Sequence, residues 1–209
     1  MVQVALADYL TALSAGQLVS FPTDTVPALA ARPEASDRIY QLKQRSADKP
    51  LILMAAHFPD LRPYLAGGEE DLAAWMAVID QHWPGALTLV LPASDRLPSA
   101  MNLTGTPSLG VRVPAHPLAQ YILARSGPLA TTSVNRSGQP PLQTMAAIEA
   151  EFPQLVTLSP AAIAAIYFQF DTSPPAPDQP QGSGQPSTVV AWRSLGWEVL
   201  RQGSVNLKS

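Results

Sequence analysis

The residues best able to do chemistry fall in four short segments, each following or spanning an apolar run: FPTDTVPALA, KQRSADKP, SLGVRVPAHP and TTSVNRSG. In the second, Lys43, Arg45 and Lys49 place three cations within seven positions, just ahead of Pro50. A guanidinium offers a planar fork of donors and an ammonium a compact charge, and together they suit a chain of phosphates. The same residues also suit a solvated helix end, where cations favour the carbonyl pole. With only 13 Lys and Arg in the chain, this concentration brings the two readings level. Thr131, Thr132, Ser133, Asn135, Ser137 and Gly138 form the densest group of hydroxyls and amides. They follow an apolar strand, where α/β sheets commonly place ligands. Backbone N–H groups in such a loop can cradle a phosphate, so binding is favoured over an ordinary Ser/Asn turn.

Two further groups are weaker signals. Thr23, Asp24 and Thr25 follow Pro22 at a strand end; they could bind a polar ligand, but capping a turn is the simpler role for such residues. Arg112 sits between Val111 and Val113, so alternation sends it to the face opposite both valines, toward solvent or into a site. The pattern excludes other chemistries. The chain has no cysteine, which removes thiol catalysis and thiolate metal sites. It lacks the phosphate-binding G-x-x-x-x-G-K-[ST] loop, the dinucleotide G-x-G-x-x-G and the hydrolase G-x-S-x-G elbow. His57, His82 and His116 do not have the spacing of a helical zinc pair.

The elements that must position these residues alternate. Helices are expected over residues 3–15, 35–44, 69–82, 116–125 and 146–152. Strands are expected over 18–21, 51–55, 87–91, 109–113 and 129–132, and two more over 187–192 and 197–201. Strands interleaved with helices predict an α/β layered domain. The segment 171–186, DTSPPAPDQPQGSGQP, is dense in Pro, Gly and Gln, with too little apolar surface to order itself. It is expected to be a flexible loop within a single domain spanning 1–209, because the last strands are too small to stand alone. A net charge of −3 with no block of like charge gives no broad RNA footprint. There is no basic start to a secretory signal and no apolar run long enough for a bilayer, so a cytoplasmic protein without membrane contact is expected.

Taken in order, the segments resemble the YrdC-type family of threonylcarbamoyl-AMP synthases. The landmarks are Pro22-Thr23-Asp24-Thr25, Lys43 to Pro50, Trp83-Pro84-Gly85-Ala86-Leu87-Thr88, Arg112 to Pro117 and Thr132 to Gly138. Ser187-Thr188-Val189-Val190 and Leu200-Arg201-Gln202-Gly203 complete them. The resemblance runs from about Leu13 to Val205 and implies a twisted open mixed sheet flanked by helices, with a deep cationic cavity. It also implies that L-threonine, bicarbonate and ATP, with Mg²⁺ on the phosphates, are joined into threonylcarbamoyl-AMP and pyrophosphate. A partner complex would pass the group to tRNA, with at most weak RNA contact by this chain.

Carried over residue by residue, the similarity gives Lys43, Arg45 and Lys49 to the phosphates. Ser108, Thr131, Ser133 and Asn135 go to the nucleotide, and Arg201 closes over it. Thr23, Thr25, Ser187 and Thr188 seat threonine, with Arg112 on its carboxylate. No protein nucleophile is implied. The chain departs from the family pattern where Tyr-Gly becomes Pro27-Ala28, where S-A-N becomes Ser133-Val134-Asn135, and where Pro186 replaces an acidic residue. The first change leaves two other readings open: a non-catalytic nucleotide- or RNA-binding paralogue, and an enzyme for another carbamoyl or acyl substrate.

Overall fold

A computed structural model describes residues 2–176, 178–180, 182–194 and 196–207. Its strands are β1 (Val2–Val4), β2 (Val19–Phe21), β3 (Ala28–Ala31), β4 (Ile52–Met54), β5 (Leu87–Pro92), β6 (Ser108–Arg112), β7 (Leu129–Ser133), β8 (Val156–Leu158), β9 (Thr188–Arg193) and β10 (Gly196–Arg201). The α-helices are α1 (Leu6–Ser14), α2 (Asp37–Lys43), α3 (Phe58–Leu61), α4 (Glu69–His82), α5 (Pro117–Ser126), α6 (Met145–Glu151) and α7 (Pro160–Phe168). All ten strands join one mixed sheet in the order β1-β8-β2-β3-β7-β4-β6-β5-β9-β10.

Side chains alternate across a strand, so each strand feeds two cores. Leu29, Leu53, Leu89, Val111, Ala130 and Val190 point to one face and pack with residues of α2, α3, α4 and α6. On the other face Val19, Phe21, Ala30, Leu129 and Val156 pack against Tyr9 and Leu13 of α1, Leu118 and Ile122 of α5, and Ile166 of α7. These three helices cover the face from β1 across β3 and β7 to Met54 of β4. Over β6, β5 and β9 no helix covers this face, which carries Gly110, Arg112, Thr88, Val90 and Val189 and forms much of the floor of the cavity described below.

Most expected elements are present, and Glu69–His82 matches to the residue. The first helix is shorter than expected, because Val2–Val4 is a strand paired parallel to Val156–Leu158. Its partner lies some 150 residues away in sequence, so local periodicity carries no sign of it. Ala28–Ala31, Val156–Leu158, Phe58–Leu61 and Pro160–Phe168 were not expected from the sequence. The Ala-rich strand and helix lack a polar–apolar rhythm, so their context decides them. The two C-terminal strands return to the sheet, β9 lying parallel to β5 and β10 forming the edge. Within 171–186 the described backbone is irregular; Pro177 and Gln181 lie outside the described residues. Among the described residues no helix is long and apolar enough to cross a membrane.

Candidate active site

The alternate residues of four central strands form the floor of a cavity of about 430 Å³. The middle row is Thr131, Ile52, Gly110 and Val90, register neighbours on β7, β4, β6 and β5. Gly110 keeps this floor low: a Cβ there would already touch Ile52 Cγ1 at 3.4 Å and Thr88 Cγ2 at 3.7 Å. Two residues along in one direction lie Arg112 and Met54, paired in register. Two residues the other way lie Ser108 and Ser133. At roughly 3.3 Å per residue, the Arg112 and Ser108 ends are separated by about 13 Å of strand. The walls are Thr25 to Ala28, Arg45 with Pro50, and the Pro186–Ser187, Arg193 and Arg201 side. Four arginines therefore line the hollow, and no carboxylate is among its lining residues.

At one end, Arg112 is 2% exposed and fully engaged at three atoms. Its Nη2 pairs with Asp24 Oδ1 at 2.8 Å, its Nη1 donates to Thr25 Oγ1 at 2.8 Å, and its Nε donates to the Gly85 carbonyl at 2.9 Å. Asp24 Oδ1 also accepts the Ala115 N–H at 3.1 Å. Burial lowers the Arg112 pKa and the Asp24 charge opposes that, but a guanidinium stays protonated regardless. The hydroxyls line up in sequence. Thr23 Oγ1 donates to the Val26 carbonyl at 2.7 Å, so the proton between Thr23 Oγ1 and Thr25 Oγ1 belongs to Thr25. Thr25 Oγ1 thus offers the cavity a lone pair, which suits a ligand N–H or O–H. Across the floor, Thr88 Oγ1 and Ser187 Oγ share a hydrogen bond of 2.8 Å, and Arg201 wraps the Ser187 carbonyl with Nε at 3.1 Å and Nη2 at 2.9 Å.

At the other end, Lys43 lies at the C-terminus of α2 with 3% of its surface exposed. Its Nζ donates to the Ser133 carbonyl and to Asn135 Oδ1. Burial, and then the charge of Arg45, lower its pKa to about 7. Gln44 closes that helix in the left-handed conformation, and Arg45 turns back to bind the Lys49 and Pro50 carbonyls at 2.9 and 3.2 Å. Asn135 accepts the Ser133 hydroxyl at 2.6 Å and ties its own amide to the Arg136 and Gln139 carbonyls. Val134 between them is buried in the core, pointing away from the cavity.

Of the residues singled out in the sequence, Arg45, Ser108, Thr131, Ser133, Arg201, Thr25, Arg112 and Ser187 line the one cavity. Lys43, Lys49, Asn135, Thr23 and Thr188 are not among its lining residues. Lys43, Asn135 and Thr23 brace residues that are, and the Lys49 carbonyl holds Arg45. Thr188 is fully buried: its hydroxyl donates to the Val205 carbonyl at 2.7 Å and accepts the Gly203 and Val205 N–H groups. Sequence reasoning placed Asp24 only among the ligand-or-cap residues of its turn, with no ion pair, and gave no role to Thr88, Gly110 or Arg193. The alternation of Leu87-Thr88-Leu89-Val90-Leu91 could have singled out Thr88, whereas the Asp24 ion pair spans 88 positions.

The fold and hollow define an α/β protein with an open mixed sheet and a cavity lined by four arginines and a row of hydroxyls. Residues 11–165 match the family model for Sua5, YciO and YrdC, described as "Telomere recombination", so the chain belongs to that family. It is 38% identical over 162 residues to the threonylcarbamoyl-AMP synthase of Chromohalobacter salexigens, covering 76% of this chain and 85% of that protein. To the threonylcarbamoyl-AMP synthase of Vibrio vulnificus it is 40% identical over 152 residues, covering 69% and 78%. Among solved structures, P. abyssi Sua5 complexed with L-threonine superposes with a TM-score of 0.77 at 28% identity, over 94% of this chain. The chain spans only 53% of that longer protein. E. coli YciO shares the fold, with a TM-score of 0.76 at 20% identity and 90% of its chain covered.

Proposed function

We propose that this chain is a threonylcarbamoyl-AMP synthase, joining L-threonine, bicarbonate and ATP into threonylcarbamoyl-AMP and pyrophosphate for tRNA modification. The observation that carries the reading is the two-ended cavity: a cationic nucleotide end at Arg45, Ser108 and Ser133, with Lys43 held behind Ser133, and a hydroxyl-rich end at Thr25, Thr88, Arg112 and Ser187. Curated relatives of similar length bear the same activity in their names, and a solved relative holds L-threonine.

The chemistry asks little of the protein beyond placement. The threonine amine attacks bicarbonate and water leaves, giving a carbamate. A carbamate oxygen then attacks the α-phosphorus, and the bond to the β-phosphate breaks to release pyrophosphate. No side chain forms a covalent bond; positioning and neutralisation of the phosphates do the work. Arg45 and Lys43 supply the charge at one end. Thr25 reads the amine or hydroxyl of threonine through its lone pair, and Arg112 keeps N–H groups beyond the three already engaged for the carboxylate. Mg²⁺ would enter with the nucleotide phosphates, whose charge it shares with Arg45. Product would pass to a transferase that carries the threonylcarbamoyl group to tRNA.

Pyrophosphate release in the presence of ATP, threonine and bicarbonate tests the reading, each being withheld in turn. Release should need all three. Release that persists without threonine would point instead to another carbamoyl or acyl acceptor, and ATP binding without any release would point to a non-catalytic paralogue.

A further inference from the structure

The turn that carries Thr25 is not held by its own strands. β2 stops at Phe21 and β3 begins at Ala28, leaving residues 22–27 without a ladder partner. The carbonyls of Asp24 and Thr25 accept instead from a distant segment: Ser183 N–H donates to Asp24 O at 3.0 Å, and Gly184 N–H donates to Thr25 O at 2.8 Å. Gly182 and Gly184 both take positive φ, +76° and +71°. A Cβ on Gly182 would lie 2.3 Å from the Thr23 carbonyl oxygen, 2.7 Å from that of Thr25 and 2.8 Å from the Asp24 carbonyl carbon. The backbones are therefore in direct contact, and only glycine leaves room. Two residues further on, Pro186 and Ser187 line the cavity before the chain enters β9.

We propose that Gly182–Gly184 is a positioning segment that fixes the amino-acid end of the cavity by bracing the turn holding Thr25 and Asp24. Through their side chains it also sets Arg112, because two of the three partners of that guanidinium sit on the braced turn. This inference rests on the assignment of that end to threonine. It makes part of the Pro-rich segment a fixed piece of the site, where composition alone had suggested a free loop.

The test compares Gly182→Ala with Gly127→Ala. Gly127 has nearly the same φ, +74°, but nothing within 4 Å of an added Cβ and no part in the site. Both substitutions place an L side chain at a positive φ, and they differ in what the methyl group meets. In pyrophosphate release, G182A should raise the KM for threonine at least about tenfold while the KM for ATP stays within about twofold; G127A should change neither. Ser183→Pro removes one of the two donors and puts the ring methylene where that N–H met the Asp24 carbonyl, and should raise the threonine KM several-fold even if G182A folds poorly. Amide hydrogen exchange at residues 23–26 gives an answer that needs no turnover. It should quicken about tenfold in G182A and not in G127A. Equal behaviour of the two glycine variants, or a joint rise of both KM values, would overturn the proposal. Absence of turnover in the unaltered chain would count against the assigned reaction instead, leaving the exchange comparison to decide the bracing role.

Discussion

One face of one sheet is used in two ways. Over β1, β8 and β2 it is roofed by α1, α5 and α7, and its side chains are Val19, Phe21 and Val156 packed on Tyr9, Leu118 and Ile122. Over β6, β5 and β9 the roof is missing, and the side chains at equivalent alternating positions are Gly110, Arg112, Thr88 and Val189. The first region gains stability from apolar burial at about 25 cal/mol per Å². The second can leave its face open because the opposite face of the same strands, with Leu89, Val111 and Val190, is fully buried. Stability and ligand binding are thus separated by face and by half, and substitutions should separate in the same way.

The largest effect should come from the open half. Removing one charge-assisted hydrogen bond costs about 1.5–3 kcal/mol, so Arg45→Ala should slow turnover roughly 10- to 150-fold. Adding Lys43→Ala should take the loss to about 10³-fold or beyond, with the thermal midpoint moving by only a few degrees. Normal turnover in the double variant would break the comparison at its centre. In the roofed half, Leu118→Ala or Ile122→Ala should do the reverse, costing about 2–5 kcal/mol of stability by denaturant titration while both KM values hold. A selective rise in either KM would show that the halves are coupled.

His116 sits at the seam, as N-cap of α5, beside Tyr167 and with its Nδ1 buried and without a hydrogen-bond partner among the described residues. Burial lowers its pKa to about 4 from the usual 6.5, with Asp24 opposing the shift. The unfolded chain therefore takes up a proton between pH 6.5 and 4 that the folded one refuses, and stability falls with falling pH by about 3 kcal/mol. His116→Gln should flatten that part of the curve; an unchanged acid limb would place the loss elsewhere.

The smallest effect concerns Lys43, whose pKa is about 7 in the free protein. A neighbouring phosphate would raise it, so nucleotide binding above pH 7 must draw in a proton. The KM for ATP should climb from pH 7 toward 9, approaching tenfold per unit, and Lys43→Arg should remove the slope. A flat profile in the unaltered chain would detach Lys43 from the phosphates.

Legibility in the sequence follows the range of the interactions. Helix α4 could be read to its ends because its apolar spacing and its Trp83-Pro84-Gly85 stop are local. The Val2–Val4 and Val156–Leu158 strands could not, since each is a strand only by virtue of the other. In the site, the cations and hydroxyls announced themselves by type and clustering. Which of them face the hollow did not: Lys43 and Asn135 are turned toward the β7 loop, and Thr188 toward the tail. Asp24 was visible as a residue, but its pairing with Arg112 depends on how β2 and β6 are placed in the folded sheet.

Thr188 shows how far this arrangement reaches. Its single hydroxyl gathers three main-chain groups from residues 203 and 205, and the residue before it is a wall of the cavity. Cutting the polypeptide ahead of Gly203 would remove all three groups, free the neighbouring Ser187 to shift, and blunt substrate use from a point well outside the hollow.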